Sequence, residues 1–250
     1  MIGALQPGRQ RDPHAERRFE ARTSATLRRM PPALPSPPAG DADSKTAEAY
    51  RVLKDLIVSL ELPPAALIDE RRLAERLGVG LTPVRQALRR LEWESLVVIL
   101  PRRGTLVADL SDSDLGRIFE LRSVLEPQAA SLAAERGLDE QRGALAAVIG
   151  QLRTELVRPT PDRRLLIALD RDLHRLIWAM AGNQMLEQTL EWLFSHVLRR
   201  WNVSIDRAES LGTAMELHEA IAAAIIAGHA AQANAAMARH VEGFQASLIA

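Results

Sequence analysis

From Lys45 onward, apolar residues recur at three- and four-residue intervals. Tyr50, Leu53, Ile57 and Leu60 predict a helix that stops at Pro63-Pro64. Asp69 is placed to cap a second, short helix in DERRLAERL, with Leu73 and Leu77 turned inward and Gly78 supplying the left-handed stop. After the GVG turn, Thr82 is the expected N-cap and Pro83 the first helical residue of TPVRQALRRLEWES, whose buried stripe is Val84, Leu88 and Leu91. The pattern then shortens. VVIL (Val97 to Leu100) and TLVA (Thr105 to Ala108) are β-branched runs separated by PRRG, which predicts a hairpin with two arginines at its tip. Two helices joined by a glycine turn make a helix-turn-helix, and the hairpin makes it winged.

Past Ser111 strand signals stop and amphipathic helices follow one another. Six are expected, over roughly 111–136, 139–158, 162–181, 184–203, 210–228 and 231–249. Gly137, Pro159-Thr160-Pro161, Gly182-Asn183 and Gly228 punctuate them. The expected fold class is mainly α, an N-terminal winged helix-turn-helix over 45–110 followed by an all-α six-helix bundle over 111–250. Residues 1–44 are rich in Arg, Pro and Ala, and MPPALPSPPAG (Met30 to Gly40) cannot hold a helix, so this stretch is expected to be a disordered arm.

Composition narrows the chemistry. With 250 residues, 47% apolar and 26% charged, the chain matches globular proteins with room for two modules. The absence of cysteine excludes disulfides, thiolate metal sites and cysteine nucleophiles. No apolar run approaches the roughly 18 residues of a membrane helix, so a cytoplasmic protein without a membrane partner is expected. Basic and acidic residues are equal at 32 each, but they are unevenly spread. Residues 45–110 carry eleven basic and nine acidic side chains, residues 111–250 fourteen and eighteen. That gradient is too small to identify a ligand alone.

In a helix-turn-helix the start of the second helix reaches base edges in the major groove. Here that places Thr82, Arg85 and, one turn on, Arg89 against bases, since Arg grips guanine with two parallel hydrogen bonds. Arg71, Arg102 and Arg103 are placed for backbone or minor-groove contact, and Gly104 lets the wing turn lie close to the duplex. The alternative for any one arginine is a merely solvated face. The arm's seven arginines are diluted by five acids, which favours an inert extension over a phosphate-binding one.

The second module carries a metal pattern. Asp170 and His174 are four apart, on one helix face with Leu166, Ile177 and Ala181. His218 lies among Met215, Ile221 and Ile225, and His240 among Met237, Val241 and Phe244. Eleven residues separate each of these two from His229, with Gly228 at the bend. On one straight helix they would be about 33 Å apart; folded as a hairpin they return to one level. Asp170, His174, His218 and His240 converging in a bundle suit Zn²⁺, Ni²⁺ or Mn²⁺ with positions left for water or ligand. The competing reading of each histidine is a core residue with a satisfied hydrogen bond. His196 shares a face with Arg199 and Arg200 and shows no such pattern.

The stretch LAERLGVGLTPVRQALRRLEWESLVVILPRRGTLV (Leu73 to Val107) resembles the winged-helix domain of GntR-type bacterial transcription regulators. That resemblance implies operator contact by Arg71, Thr82, Arg85 and Gly104. The chain departs from the usual pattern at Gly80 and Leu81, where a hydroxyl residue and an Arg are common, and at Pro63-Pro64, where a Pro-Gly turn is common. DRDLHRLIWAMAGNQML (Asp170 to Leu186) and ELRSVLE (Glu120 to Glu126) resemble the FCD effector domain of the FadR-like branch, and six helices resemble its shorter VanR-like variant. The resemblance implies that Asp170, His174, His218 and His240 hold the ion beside a small carboxylate effector, and that the protein is a homodimer on double-stranded operator DNA. Arg122 is then the expected partner of the effector carboxylate, with a salt bridge to Glu126 as its alternative. The expected function is metabolite-responsive transcription regulation without catalysis. Its rivals are a metal-dependent enzyme on a helical bundle, and an interaction module with a structural ion.

Overall fold

The computed structural model describes residues 41–109, 111–204 and 211–249. Most of the expected 1–44 arm lies outside the described residues. Its last four residues instead belong to the first helix, α1 (Asp41–Val58), which starts beyond the prolines ending at Pro38. Leu60, counted above into the helical stripe, falls just past its end at φ 64°.

The first module continues with β1 (Leu67–Ile68), α2 (Glu70–Leu77), α3 (Leu81–Trp93), β2 (Val97–Leu100) and β3 (Gly104–Val107). Asp69 caps α2 by accepting from the amides of Arg71 and Arg72 at 3.0 Å each, and Gly78 ends it at φ 63°. Thr82 does not cap α3. Gly80 holds that position without a side-chain bond, which puts Thr82 and Pro83 inside the first turn, where proline's missing N–H costs nothing. The hairpin is antiparallel, pairing Val97 with Val107 and Leu100 with Gly104. β1, which its two-residue length hid from any periodicity test, pairs Leu67 with Leu106 and gives a sheet of order β1-β3-β2. Gly104 sits at φ 95°, a backbone conformation strained for any side chain, and a Cβ there would also press on Leu67 Cδ1 at 3.2 Å. Leu53, Ile57, Val84, Leu88, Leu91 and Val107 form this module's core.

Six helices follow: α4 (Asp112–Arg136), α5 (Asp139–Leu156), α6 (Arg163–Met180), α7 (Gln184–Ser204), α8 (Leu211–Ile226) and α9 (Ala230–Ile249). Ser111 caps α4 and Asp162 caps α6, each through its side-chain oxygen. Asn183 accepts from the Leu186 amide at 3.3 Å at the start of α7. α4 packs along α9, and α5 along α6, around Phe119, Leu145, Leu173, Trp178, Phe194 and Ile221. Arg142 ties two helix ends together. Its guanidinium donates to the Ala134 and Gly137 carbonyls of the α4 terminus, at 2.8 and 3.1 Å, and to Ile225 and Ile226 of the α8 terminus, the latter at 2.9 Å. Among the described residues, no helix is long and apolar enough to cross a membrane.

Candidate metal and effector site

The apolar stripe of α6 carries Asp170 and His174 into the bundle because its flanking residues, Leu166, Leu173 and Ile177, must be buried. α8 and α9 reverse at Gly228, whose φ of 75° suits glycine, and this brings His218 and His240 to the same level. All four side chains are buried, and one ligand atom from each lies within 4.8 Å of the others. Donors held about 2.1 Å from one ion stand at most about 4.2 Å apart across it, so small rotamer adjustments close the set.

Contacts within the cluster carry the signature of convergent donors. His218 Nε2 is 3.1 Å from Asp170 Oδ1, yet it lacks hydrogen-bond alignment with any group. His174 Nε2 and His240 Nε2 stand 3.2 Å apart, and the His218 and His240 rings are 4.4 Å centre to centre. Three imidazoles this close cannot all be charged. Burial, followed by His218 and His174, pushes His240 well below the ordinary histidine range, and a neutral imidazole is the form that ligates. Burial alone would raise Asp170; the neighbouring His218, His174 and Arg122 outweigh it and hold the carboxylate ionised.

α4 supplies a second layer. Glu126 Oε2 lies 2.8 Å from His174 Nδ1, and Glu126 Oε1 accepts from Arg122 Nε at 2.5 Å. Burial opposes charge on Glu126, but Arg122 and His174 overcome it and set its pKa to about 2. A carboxylate behind a ligating imidazole fixes the ring's orientation and raises its basicity. Arg122 makes the bridge to Glu126 through Nε, the alternative expected above; its two terminal nitrogens are buried without a hydrogen-bond partner, and its guanidinium lies over the Phe119 and Phe194 rings at 5.1 and 5.0 Å. The sequence had paired Glu126 only with Arg122; its approach to His174 joins residues 48 apart and left no local signal.

Arg122 and all four cluster residues line one cavity of about 440 Å³ of atom-free space, part of it open to solvent. Phe194 and Trp201 of α7 form part of the same wall.

α7 also faces the first module. Trp192 Nε1 and His196 Nε2 both reach the backbone oxygen of Glu94, the C-cap residue of α3, at 3.0 and 2.9 Å. Arg199 donates to the Ala108 carbonyl at the exit of the wing, and Asn202 Nδ2 to that of Val58 at the end of α1, at 2.9 Å. The Glu94 side chain is held from its own module by Lys54 Nζ at 2.9 Å and Tyr50 at 2.5 Å.

The groove-reading candidates Arg71, Thr82, Arg85, Arg89, Arg103 and Gly104 are all solvent-exposed, as is Arg102. Arg85 Nε is 2.8 Å from Glu70 Oε2, which links the two helices of the helix-turn-helix.

A winged helix-turn-helix joined to an all-α bundle is the architecture of a two-module DNA-binding protein. The chain matches the family of bacterial regulatory proteins called gntR over residues 45–107 and the FCD domain over 117–243. It therefore belongs to the GntR family of transcription regulators, in its FCD-bearing branch, and is not an enzyme. It is 29% identical over 201 residues to the HTH-type transcriptional repressor GlaR of Escherichia coli (strain K12), covering 78% of this chain and 91% of that one. Over 224 residues it is 30% identical to a probable D-xylose utilization operon transcriptional repressor of Paenarthrobacter nicotinovorans, covering 82% and 92%. Among solved structures, E. coli McbR/YncC superposes with a TM-score of 0.71 at 22% identity, over 82% of this chain and 96% of that chain. A GntR regulator from Rhodococcus sp. RHA1 gives 0.67 at 19%, over 82% and 97%. At these identities the superpositions establish a shared fold.

Proposed function

We propose that this regulator answers to a small organic acid held in the helical module beside a divalent ion, and that it reads operator DNA as a homodimer. Asp170, His174, His218 and His240 would hold Zn²⁺, Ni²⁺ or Mn²⁺, for which an oxygen and three imidazoles are suitable donors. When bound, the ion supplies a positive centre that can accept an oxygen of the effector. Arg122 takes the carboxylate in a two-pronged grip through its terminal nitrogens, and Glu126 holds His174 in position.

One observation carries this reading: a fully buried guanidinium with two unpartnered nitrogens, lining the same cavity as the four converging donors. A buried donor without an acceptor is costly, so an anionic partner at that point is the natural completion.

The DNA contacts follow the exposed residues. Thr82, Arg85 and Arg89 face the major groove, while Arg71, Arg103 and Gly104 contact backbone or wing-side groove. Two-fold pairing of the chain matches a palindromic operator. Transmission runs through α7, which lines the cavity with Phe194 and Trp201 and grips the first module with Trp192, His196, Arg199 and Asn202. A ligand that moves the wall shifts the grip, and with it the placement of the paired α3 helices.

The test is a thermal-shift screen of small carboxylic acids with and without chelator, followed by operator binding with each hit. Stabilisation that needs both acid and metal, coupled to altered operator affinity, supports the reading. Acids that change neither stability nor DNA binding refute it and leave a structural ion.

A further inference from the structure

The remaining walls of the cavity determine what the acid carries behind its carboxylate. Among the described residues, those lining the cavity apart from Arg122 and the four-residue cluster are Leu152, Leu156, Leu166, Phe194, Trp201 and Phe244. Their side chains present hydrocarbon and aromatic surface, with the Trp201 indole N–H as their one hydrogen-bonding group. Each of the described lining residues lies within a helix, so its backbone N–H is committed to the helix's own ladder. Among the described residues, Arg122 is the one Arg or Lys side chain at the wall, and Glu126 and Asp170 already oppose it.

Resting on the effector reading above, we infer that the ligand is a monocarboxylate whose remainder is apolar, either an aliphatic chain or an aromatic ring. Sugar-type polyhydroxy acids and dicarboxylates are rejected. A hydroxyl carried past Leu152, Leu166 and Phe194 loses water without gaining a partner, and a second carboxylate loses far more. A methylene in the same place gains burial. Leu156 and Phe244 are half-buried and mark the open end, so the carboxylate lies at Arg122 and the tail runs toward them.

Titration of the full chain loaded with zinc alone tests this, followed by tryptophan fluorescence and calorimetry. The probes are straight-chain monocarboxylates from acetate to octanoate, with adipate and gluconate as six-carbon counterparts of hexanoate. Affinity should rise about threefold to fourfold per methylene until the cavity is filled. Hexanoate should bind at least tenfold more tightly than adipate or gluconate, on the order expected for unpaired buried polar groups. The variant Leu156→Asn, at the open end, should weaken hexanoate by about tenfold and leave acetate unchanged. Gluconate or adipate binding as tightly as hexanoate, or affinity independent of chain length, overturns the inference while keeping the acid site. Equal losses of acetate and hexanoate in Leu156→Asn overturn the placement of the tail. Binding by none of the probes overturns the acid site itself, and this inference with it.

Discussion

His196 Nε2 lies 2.9 Å from the backbone oxygen of Glu94, so one helix of the effector module holds the last carbonyl of the recognition helix. A carbonyl only accepts, which fixes the His196 proton on Nε2; Nδ1 is buried without a partner. The Trp192 indole donates to the same oxygen, and its ring stands edge-on to the imidazole at 6.0 Å. Two donors from adjacent turns of α7 thus share one acceptor at the boundary between the winged-helix and FCD modules.

This geometry makes the joint sensitive to acid. Burial first, then the charges of Arg199 and Lys54, press the His196 pKa down to about 3, against the Glu94 carbonyl bond that raises it. The unfolded chain, with a histidine pKa of about 6.5, therefore takes up the proton first. This contribution to stability is complete above pH ~6.5 and is lost as pH falls toward about 3, at up to about 1.4 kcal/mol per pH unit. Between pH 7 and pH 5 the wild type should lose about 2 kcal/mol more than His196→Gln, whose amide keeps a donor without titrating. Chemical denaturation at both pH values measures the difference, and identical pH slopes would contradict it.

The second layer around the four proposed metal ligands has its own signature. Glu126 approaches His174 Nδ1 at 2.8 Å, on the side of the ring away from His240. Glu126→Gln should reduce metal affinity by roughly 10- to 100-fold, the usual effect of removing such a partner. His218→Ala removes a donor outright and should leave purified protein largely metal-free. Competition with a chromophoric chelator measures the first and elemental analysis the second. Full occupancy in His218→Ala removes that residue from the ligand set.

Arg122 and Glu126 form a fully buried pair, so truncating one partner strands the other's charge. Arg122→Met should destabilise the ligand-free protein by about 3–5 kcal/mol, whereas Arg122→Met with Glu126→Gln should recover much of that. Neither variant should bind a carboxylate. A double variant that regains stability and still answers to acids would show that the guanidinium is only structural.

Most of the helical fold was legible because each helix carries its own apolar period and its own stop signal. Asp69, Gly78 and Gly228 act where the sequence places them. The convergence of the four side chains could be read for the same reason: Asp170 and His174 interrupt an apolar stripe, and the glycine bend sets the level of His218 against His240. What escaped was non-local. β1 is two residues long and exists only because β3 pairs with it. Thr82 has the chemistry of a cap, but Gly80 takes the position two residues earlier. His196 and Arg199 look like a polar face on α7, and only the docked first module turns that face into a buried one.

Arg142 connects the ends of α4 and α8 through helix-terminal carbonyls, of which Ile225 O also accepts from the Gly228 amide at 3.0 Å. Charge-assisted bonds to such groups are individually among the stronger ones, and losing several together leaves acceptors half-buried. Arg142→Ala should lower stability by about 2–3 kcal/mol. Operator affinity measured well below the melting temperature should not change, since the residue is remote from α3. An undiminished melting temperature would show that water replaces the guanidinium without loss.

Arg85 separates recognition from folding. Its guanidinium is 64% exposed, and its pairing with Glu70, itself 24% exposed, contributes little to stability, as exposed ion pairs do. Arg85→Ala should therefore leave the unfolding free energy within about 0.5 kcal/mol of wild type. If the side chain reads a base edge, operator binding should weaken by about 1–3 kcal/mol, and discrimination at one base pair should relax. Arg103→Ala on the wing should instead weaken binding to all sequences alike and reduce the salt dependence by about one phosphate contact. Fluorescence anisotropy on operator and scrambled duplexes across a salt series distinguishes the two. Sequence-independent losses in both variants would place Arg85 on the phosphate backbone, and no loss in Arg85→Ala would remove α3 from the groove.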